Sequence, residues 1–572
     1  MDEKPWFRSY DPGVPHSLQP YPGSTLLDVF QETVEKRPDH TALIFKGRRM
    51  AYGRLAQLSD SFGAALRALG VQPGDRVALL LPNSPQAILA QLGAWKAGAI
   101  AAPLNPQLTG WELEQALNEC GAETVVTLAF CYKKVKSIQA RTSVSRVIAT
   151  DLREHYPAYL RLRAALSMDK KESARLHLQA GDDWMANLLR RHAGERPQIT
   201  VRPQDPALLL FSGGVTGTPK AALGSHQALY ISARQLHAYA RSMLVDWQDV
   251  SVLAMPLFHV YGNVCLLGAS LLGRYPLAVI PDPSDLDDLI DTIRKTRPAI
   301  LHGVPALFNG LISHPAVKAG LVDFGSIKVC YSAAAPLLAE TKRRFEALTG
   351  ARMLEGYGMT ESMMAAVIFP VYGAYKEGST GVPLPDVEVR IAESDTGQGS
   401  LPPGEVGEIL IRAPQLMVGY WGRPEETAKV IRDGWLYTGD TGYLDEDGYL
   451  FIVDRKKDLI KVGGFQVWPR EVEEVIAAHP AVAEVCVAGV PDPYQGEAVQ
   501  AWVVLHAGCS LNADEIRSYC HTRLIDYKVP RHIELRRTLP KTSLGKILRR
   551  ELQQEARLAG QQVDPIRELM AL

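Results

Sequence analysis

Ala207-Leu-Leu-Leu-Phe211 runs straight into Ser212-Gly-Gly-Val-Thr-Gly-Thr-Pro-Lys220. The first five residues form an apolar run of strand length. The next nine hold three glycines, three hydroxyl residues and a lysine. Glycine lets backbone N–H groups close on an oxyanion, hydroxyls donate further hydrogen bonds and Lys220 adds positive charge, so the loop suits a phosphate chain. The spacing is not Gly-x4-Gly-Lys-Ser/Thr, which excludes a P-loop NTPase. A Gly-rich turn after a strand is also common as plain architecture, and the rest of the chain must decide between the two uses.

Upstream, from Thr25 to about Pro103, helical stretches such as Leu55 to Leu69 alternate with short strand-like runs such as Arg76 to Leu81. That alternation predicts an α/β fold, a large N-terminal domain of sheets covered by helices. Downstream the character changes near Pro383. Val387-Glu-Val-Arg-Ile391 alternates with period two and Glu408-Ile-Leu-Ile-Arg412 is a second strand, which predicts a β-rich subdomain over about 383–454. Asp454-Arg-Lys-Lys-Asp458 places five charges between the apolar runs Tyr449 to Val453 and Leu459 to Val462 and reads as a solvated connector. Beyond it come a helix opened by Pro469, strands over Val482 to Val490 and Val499 to Leu505, and a capping box at Asn512 and Glu515. The organisation expected is a large domain over 1–454 and a small α+β C-terminal domain over 455–572, about 115 residues beyond the connector and so of ordinary domain size.

Composition removes other classes. Lys plus Arg number 62 against 63 Asp plus Glu among 572 residues, so no global field draws the chain to nucleic acid. The acidic start, Met1-Asp-Glu-Lys-Pro-Trp6, lacks the basic and apolar regions of a signal peptide. Val252 to Ile280, the most apolar region, is interrupted by His259, Asn263 and Arg274 and falls short of the roughly 20 residues that span a bilayer. Seven scattered cysteines without a Cys-x-x-Cys pair read as reduced, buried thiols. A cytoplasmic location is expected, with peripheral contact at the inner membrane surface as an alternative. That alternative comes from residues 152–196, where aromatics and leucines stand among many arginines. They read either as a solvated insertion packed on the body, the favoured reading, or as a basic amphipathic segment that touches lipid.

Four more blocks accompany the glycine-rich loop: Glu355-Gly-Tyr-Gly-Met-Thr-Glu361-Ser, Tyr437-Thr-Gly-Asp440, Asp454-Arg455-x-x-Asp458-Leu-Ile-Lys461-Val-Gly-Gly464, and Pro540-Lys-Thr-Ser-Leu-Gly-Lys546-Ile. With these five blocks in order, the sequence resembles the adenylate-forming superfamily of acyl-CoA synthetases, peptide-synthetase adenylation domains and luciferases. Ser212-Gly213-Gly214 and Gly464-Phe-Gln-Val-Trp-Pro469 are most similar to bacterial fatty acyl-CoA ligases. Three positions depart from the pattern: Val215 replaces a threonine, Ala221 a glycine and Ala333 a glycine. Val215 costs the loop one hydroxyl donor.

The resemblance implies a two-step reaction on a medium- or long-chain fatty acid with ATP and coenzyme A as co-substrates and Mg²⁺ as cofactor. Ser212, Gly213, Gly214, Thr216, Gly217 and Lys220 would hold the phosphates, with Thr216 also catalytic. Glu361 would hold Mg²⁺ together with a loop hydroxyl, Ser212 or Thr216. Glu355, Gly356, Tyr357, Gly358 and Thr360 would form the adenine and α-phosphate segment, Tyr357 stacking on the base. Asp440 would accept the ribose hydroxyls, with Arg455 and Lys461 nearby. Lys546 would bridge the attacking carboxylate and the α-phosphate. Lys457 would be the hinge of a mobile lid, Gly463 and Gly464 would border the thiol tunnel, and His259, Tyr261, Ala333 and Ala334 would line the acyl pocket. Three other readings stay open: an enzyme that loads a carrier-protein pantetheine arm, a luciferase-like oxygenase, and a non-catalytic acyl- or nucleotide-binding protein. Oligomeric state is not legible.

Overall fold

In the computed structural model, the structure describes residues 4–166, 176–212, 220–334, 337, 339–394, 396–455, 458–462, 465–492, 495–542 and 545–562. The chain divides into two compact units, Met1–Glu388 with Ile411–Leu436, and Val389–Leu410 with Tyr437–Leu572.

The first unit holds two large sheets. In one of them the strands Thr41–Phe45, Leu277–Val279, Ser251–Leu253, Ile300–Gly303, Val329–Ser332 and Arg352–Met359 run parallel to their neighbours. Arg48–Ala51 and Met364–Ile368 add antiparallel strands on the flanks. In the other, Arg76–Leu80 lies parallel between Ile100–Leu104 and Thr124–Leu128. Near-continuous apolar runs such as Val77 to Leu80 have no polar face because both sides are covered. Leu113, Ala116, Leu117, Tyr132, Val135 and Ile138 supply part of that cover and pack on Ala78, Leu80, Val125 and Val147. Burying one such leucine contributes roughly 2 kcal/mol.

Local chemistry sets the helix ends. Gly110–Cys120 opens on a capping box in which Thr109 Oγ1 accepts from the Glu112 N–H and the Glu112 carboxylate accepts from the Thr109 N–H. Pro85–Lys96 begins with Ser84 as cap and proline in its first turn. Because the strands of the first sheet are parallel, the loops after Leu253, Gly303, Ser332 and Met359 leave from the same end of the sheet, where ligands bind in open α/β folds. The insertion over 152–196 is built into this unit in part: Asp183–Trp184 extends the second sheet beside Arg146–Thr150, and Met185 and Leu188 are buried, while Tyr159 and Leu162 are exposed.

The second unit contains most of the β-rich strands Glu388–Ala392, Gly407–Arg412 and Trp435–Leu444 and the whole of Leu450–Arg455, followed by an α+β fold. In the latter, Val482–Asp492 and Gly496–Leu505 form a long antiparallel hairpin and His532–Arg536 runs parallel to the second of them. Helices Pro469–Ala477 and Ala513–His521 contribute Val472, Ile476, Ile516 and Cys520 to its core. Asn512 and Glu515 form the expected capping box. Two sequence expectations are corrected. Cys509 is exposed, whereas the other six cysteines are buried and all seven are free. The connector is not solvated at its start, because Leu450–Arg455 continues as a strand and buries Asp454 against cationic neighbours.

Candidate active site

Strands Pro206–Ser212 and Lys220–Ser225 pair antiparallel with Ser212 opposite Lys220. The glycine-rich segment therefore joins two strands that pair with each other. Gly213, Gly214, Thr216 and Gly217 lie outside the described residues, as does Val215. Lys220 forms an ion pair with Glu426, and its Nζ lies 5.2 Å from the centre of the Tyr420 ring. Tyr420 sits on Gly419–Tyr420, which pairs with Lys220–Ser225. Its hydroxyl donates to Glu361 Oε1 at 2.7 Å. One ring thus joins the loop lysine to the carboxylate that sequence reading singles out. Burial, and then the Glu361 charge, push the Tyr420 hydroxyl well above its ordinary pKa, so it remains a donor.

Behind Lys220 the charges continue. Arg423 donates to both oxygens of Glu119 at 2.7 Å and to Glu426 at 3.1 Å. The bond from Lys220 pulls Glu426 below the usual carboxylate range. Sequence reading missed Tyr420, Arg423, Glu426 and Glu119. Gly419-Tyr420 and Arg423-Pro-Glu-Glu426 look like turn and helix-start chemistry in isolation, and only strand pairing carries them to Lys220.

Glu361 follows the strand Arg352–Met359, which pairs antiparallel with Met364–Ile368 and carries Glu355, Gly356, Tyr357 and Gly358. Thr360 is buried and Tyr357 half-buried. Tyr375 donates to Glu355 Oε1 at 3.4 Å. The turn is held by Ser362, whose Oγ accepts from the Met359 N–H at 3.0 Å and donates to the Met364 carbonyl at 2.6 Å. Met363 and Met364 have φ of 48° and 102°. Non-glycine residues held there store roughly 1 to 3 kcal/mol of strain each, a cost that concentrates at functional turns.

The acyl-pocket candidates gather at the ends of neighbouring strands. Tyr261 begins the π-helix Tyr261–Gly268, and a Cβ on Gly262 would fall 2.2 Å from the Pro256 carbonyl, so only glycine permits this close approach. The Tyr261 hydroxyl donates to the Tyr331 carbonyl at 3.0 Å and lies 3.2 Å from His302 Nδ1. With its proton engaged by the carbonyl, Tyr261 accepts from Nδ1–H of His302. His302 stacks on Tyr331 at 5.7 Å, and burial pushes its imidazole down to about 3. The group is polar but uncharged. The Ala333 N–H donates to the Gly303 carbonyl at 3.2 Å, and Ala334 has φ of 70°. His259 Nδ1 accepts from the Tyr261 N–H at 3.2 Å. His302 joins this cluster alongside His259, and sequence reading passed over it as one polar residue inside the strand Ile300–Gly303.

In the second unit Asp440 is buried on Trp435–Leu444, with Arg455 as its cross-strand neighbour. Thr438 Oγ1 accepts from the Asp440 N–H at 3.1 Å, and Thr441 Oγ1 donates to the Asp454 carbonyl at 2.9 Å. Lys461 lies on Ile460–Val462 with its side chain exposed and its N–H donated to Glu497 at 2.8 Å. Lys546 is exposed on a tight turn. The Thr542 N–H donates to the Lys546 carbonyl at 2.8 Å, the Gly545 N–H donates to the Thr542 carbonyl at 2.8 Å, and Gly545 has φ of 75°. A left-handed residue at that place explains the glycine before the lysine. Leu539 and Ile547 root the turn in a cluster with Trp502 and Leu552. Gly463, Gly464 and Lys457 lie outside the described residues, as does the Arg455 side chain. Among the described residues no group of three or more His, Cys, Asp or Glu is placed to hold a metal, and no helix is long and apolar enough to cross a membrane.

Helix-covered parallel sheets, a glycine-rich segment between two paired strands, and an α+β fold presenting a lysine on a turn define an α/β enzyme built in two units. The chain belongs to the AMP-binding enzyme family: that family matches residues 30–421, and the AMP-binding enzyme C-terminal domain matches 471–546. It is 36% identical over 561 residues to a long-chain-fatty-acid–CoA ligase of Bacillus subtilis, covering 97% of this chain and 98% of the relative. Among solved structures, an anthranilate CoA ligase in complex with anthranoyl-AMP superposes with a TM-score of 0.82 at 26% identity, over 94% of this chain and 99% of that one. A fatty acyl CoA synthetase of Mycobacterium tuberculosis gives 0.71 at 27% identity over 94% and 99%.

Proposed function

We propose that the chain is an ATP-dependent fatty acid–CoA ligase acting on medium- or long-chain acids through an acyl-adenylate. The observation that carries this reading is the end-to-end match to a long-chain-fatty-acid–CoA ligase. The absence of charge in the buried cluster of Tyr261, His302 and Tyr331 supports it, because a fatty chain offers no partner to a charged group. In the first step a carboxylate oxygen bonds to the α-phosphorus of ATP while the bond to the bridging oxygen breaks, releasing pyrophosphate. In the second, the coenzyme A sulfur bonds to the acyl carbon, AMP leaves and the thiol proton is lost.

One anion attacking another needs positive charge in place beforehand. Lys220 supplies it at the loop, held in position by Glu426 and the face of Tyr420. Lys546 would supply it at the α-phosphate. The donor at Glu361, one carboxylate oriented by the Tyr420 phenol, fits Mg²⁺, which takes one or two carboxylates and fills its shell with phosphate oxygens and water. When bound, the ion would neutralise phosphate charge. Asp440 would accept the ribose hydroxyls.

The domain proposal is a large domain over 1–454 and a mobile lid over 455–572 that turns at Lys457 between the two steps. It would remove Lys546 and bring Gly463 and Gly464 to the thiol path. Release of AMP and pyrophosphate that requires both a fatty acid and coenzyme A tests the assignment. Acyl-AMP formation indifferent to coenzyme A would point to a carrier-protein acceptor instead.

A further inference from the structure

Two buried amide contacts join the second sheet to the loop that carries His259, all within the first unit. Asn83 follows the strand Arg76–Leu80 and stands just before Ser84, the cap of the helix Pro85–Lys96. Its side chain reaches the loop after Leu253, where the strand Ser251–Leu253 of the first sheet ends. Nδ2 donates to the carbonyls of Leu253 at 3.2 Å and Met255 at 3.0 Å, and Oδ1 accepts the Leu257 N–H at 2.8 Å. Farther along the same helix, Gln91 meets Asn263 amide to amide. Gln91 Nε2 donates to Asn263 Oδ1 at 2.9 Å, and Asn263 Nδ2 donates to Gln91 Oε1 at 2.7 Å and to the Leu257 carbonyl at 2.8 Å. Side chains thus take both backbone groups of Leu257. The Asn263 N–H donates to the His259 carbonyl at 3.0 Å, and the His259 N–H to the Pro256 carbonyl at 3.0 Å. Asn83, Gln91 and Asn263 are all buried, so a group stripped of its partner here has no water to turn to. A satisfied buried network of this kind fixes one arrangement where apolar packing tolerates several.

We infer that Asn83 and Gln91 are positioning residues for His259. Asn83 fixes the near end of the segment 257–263 and the Gln91–Asn263 pair fixes its far end, so the residues between them are held from both sides. Within that segment the His259 ring accepts the Tyr261 N–H at Nδ1, and the neutral imidazole therefore carries its proton on Nε2. The two amide contacts set where His259 presents that N–H to the carboxylate end of the acid. This rests on the reading of His259 as an acyl-pocket residue given above.

The test is steady-state pyrophosphate release by the full chain with palmitate, ATP and coenzyme A, in Gln91→Met, Asn83→Ala, His259→Ala and the two double variants that include His259→Ala. Gln91→Met keeps the length of the side chain and removes its amide. It should lower kcat/KM for palmitate by about fivefold or more, as small misplacements of a positioning group do, and leave KM for ATP within twofold. Asn83→Ala, which frees three backbone groups, should lower it further. In the His259→Ala background each of these substitutions should change kcat/KM for palmitate less than twofold, because residues that act through one side chain are not additive. A matching rise in KM for ATP, or a loss that adds in full to that of His259→Ala, assigns Asn83 and Gln91 to folding alone and overturns the inference. So does a kcat/KM for palmitate within twofold of wild type in both single variants. If Asn83→Ala does not fold, Gln91→Met, which leaves the three Asn83 bonds in place, carries the comparison. His259→Ala separates the two ideas. If it leaves palmitate turnover unchanged, the pocket reading falls; if it lowers turnover while Gln91→Met does not, the pocket reading stands and the positioning role falls.

Discussion

Removing a single oxygen from Tyr420 isolates the junction between Lys220 and Glu361. In Tyr420→Phe the ring stays, so the contact with Lys220 Nζ at 5.2 Å is kept, and only the 2.7 Å bond to Glu361 Oε1 is lost. A hydrogen bond to a charged acceptor contributes about 1.5 to 3 kcal/mol. Loss of a partner that orients a metal-binding carboxylate typically lowers metal affinity or activity about 10- to 100-fold, equal to about 1.4 to 2.7 kcal/mol. The two ranges agree, so kcat/KM for ATP in adenylation should fall about 10- to 100-fold and the Mg²⁺ concentration giving half-maximal rate should rise. Thioester formation from preformed acyl-AMP should change little, because pyrophosphate has already left. Tyr420→Ala should lose more, since it also removes the surface beneath Lys220. The assay is pyrophosphate release against a Mg²⁺ titration. Adenylation by Tyr420→Phe within twofold of wild type, with an unchanged Mg²⁺ requirement, would refute the role given to this hydroxyl.

Further outcomes follow from other residues. Lys546→Ala should cut adenylation by about 10² to 10³, or roughly 3 to 4 kcal/mol of transition-state stabilisation, while sparing thioester formation from acyl-AMP; equal losses in both steps would contradict its assignment. Lys457→Pro, which fixes φ, should block one step and spare the other when the two are timed separately. Burial holds His226, packed against Trp95, neutral and depresses its pKa to about 4. The folded value lies below the unfolded one, so this stability is complete above about pH 6.5 and is lost as pH falls toward 4, reaching roughly 2 kcal/mol at pH 5. In His226→Gln the fall in Tm between pH 7 and pH 5 should be shallower than in wild type, and an identical slope would count against it.

Much of the fold was legible because its signals are local. The apolar run at Arg76–Leu80, the proline-opened helix Pro469–Ala477 and the Asn512 capping box each depend on residues within a few positions. The antiparallel pairing of the strands on either side of the glycine-rich loop was not legible, since Lys220–Ser225 reads as apolar sequence until its register with Pro206–Ser212 is known. The same limit applied to the site. Lys220, Glu361 and Lys546 belong to dense motifs that become readable from sequence once the five blocks are taken together. Tyr420, His302 and Gln91 acquire meaning only through long-range pairing: a strand edge that brings Tyr420 to Glu361, a stack that sets His302 on Tyr331, and an amide pair that joins Gln91 to Asn263. Charge at 454–458 was read as a mark of solvation, and burial of Asp454 reversed that because Arg549, a compensating cation, lies far along the chain.

The central claim is that a fatty acid and coenzyme A are joined at the cost of ATP cleavage to AMP. Its most direct test is release of AMP and pyrophosphate from ATP and Mg²⁺ across acetate, benzoate and fatty acids from C6 to C18, with and without coenzyme A, in wild type and Lys546→Ala. The account predicts turnover with medium- or long-chain acids that requires coenzyme A and collapses in the mutant. Silence with every acid, or a rate that ignores coenzyme A, would contradict it.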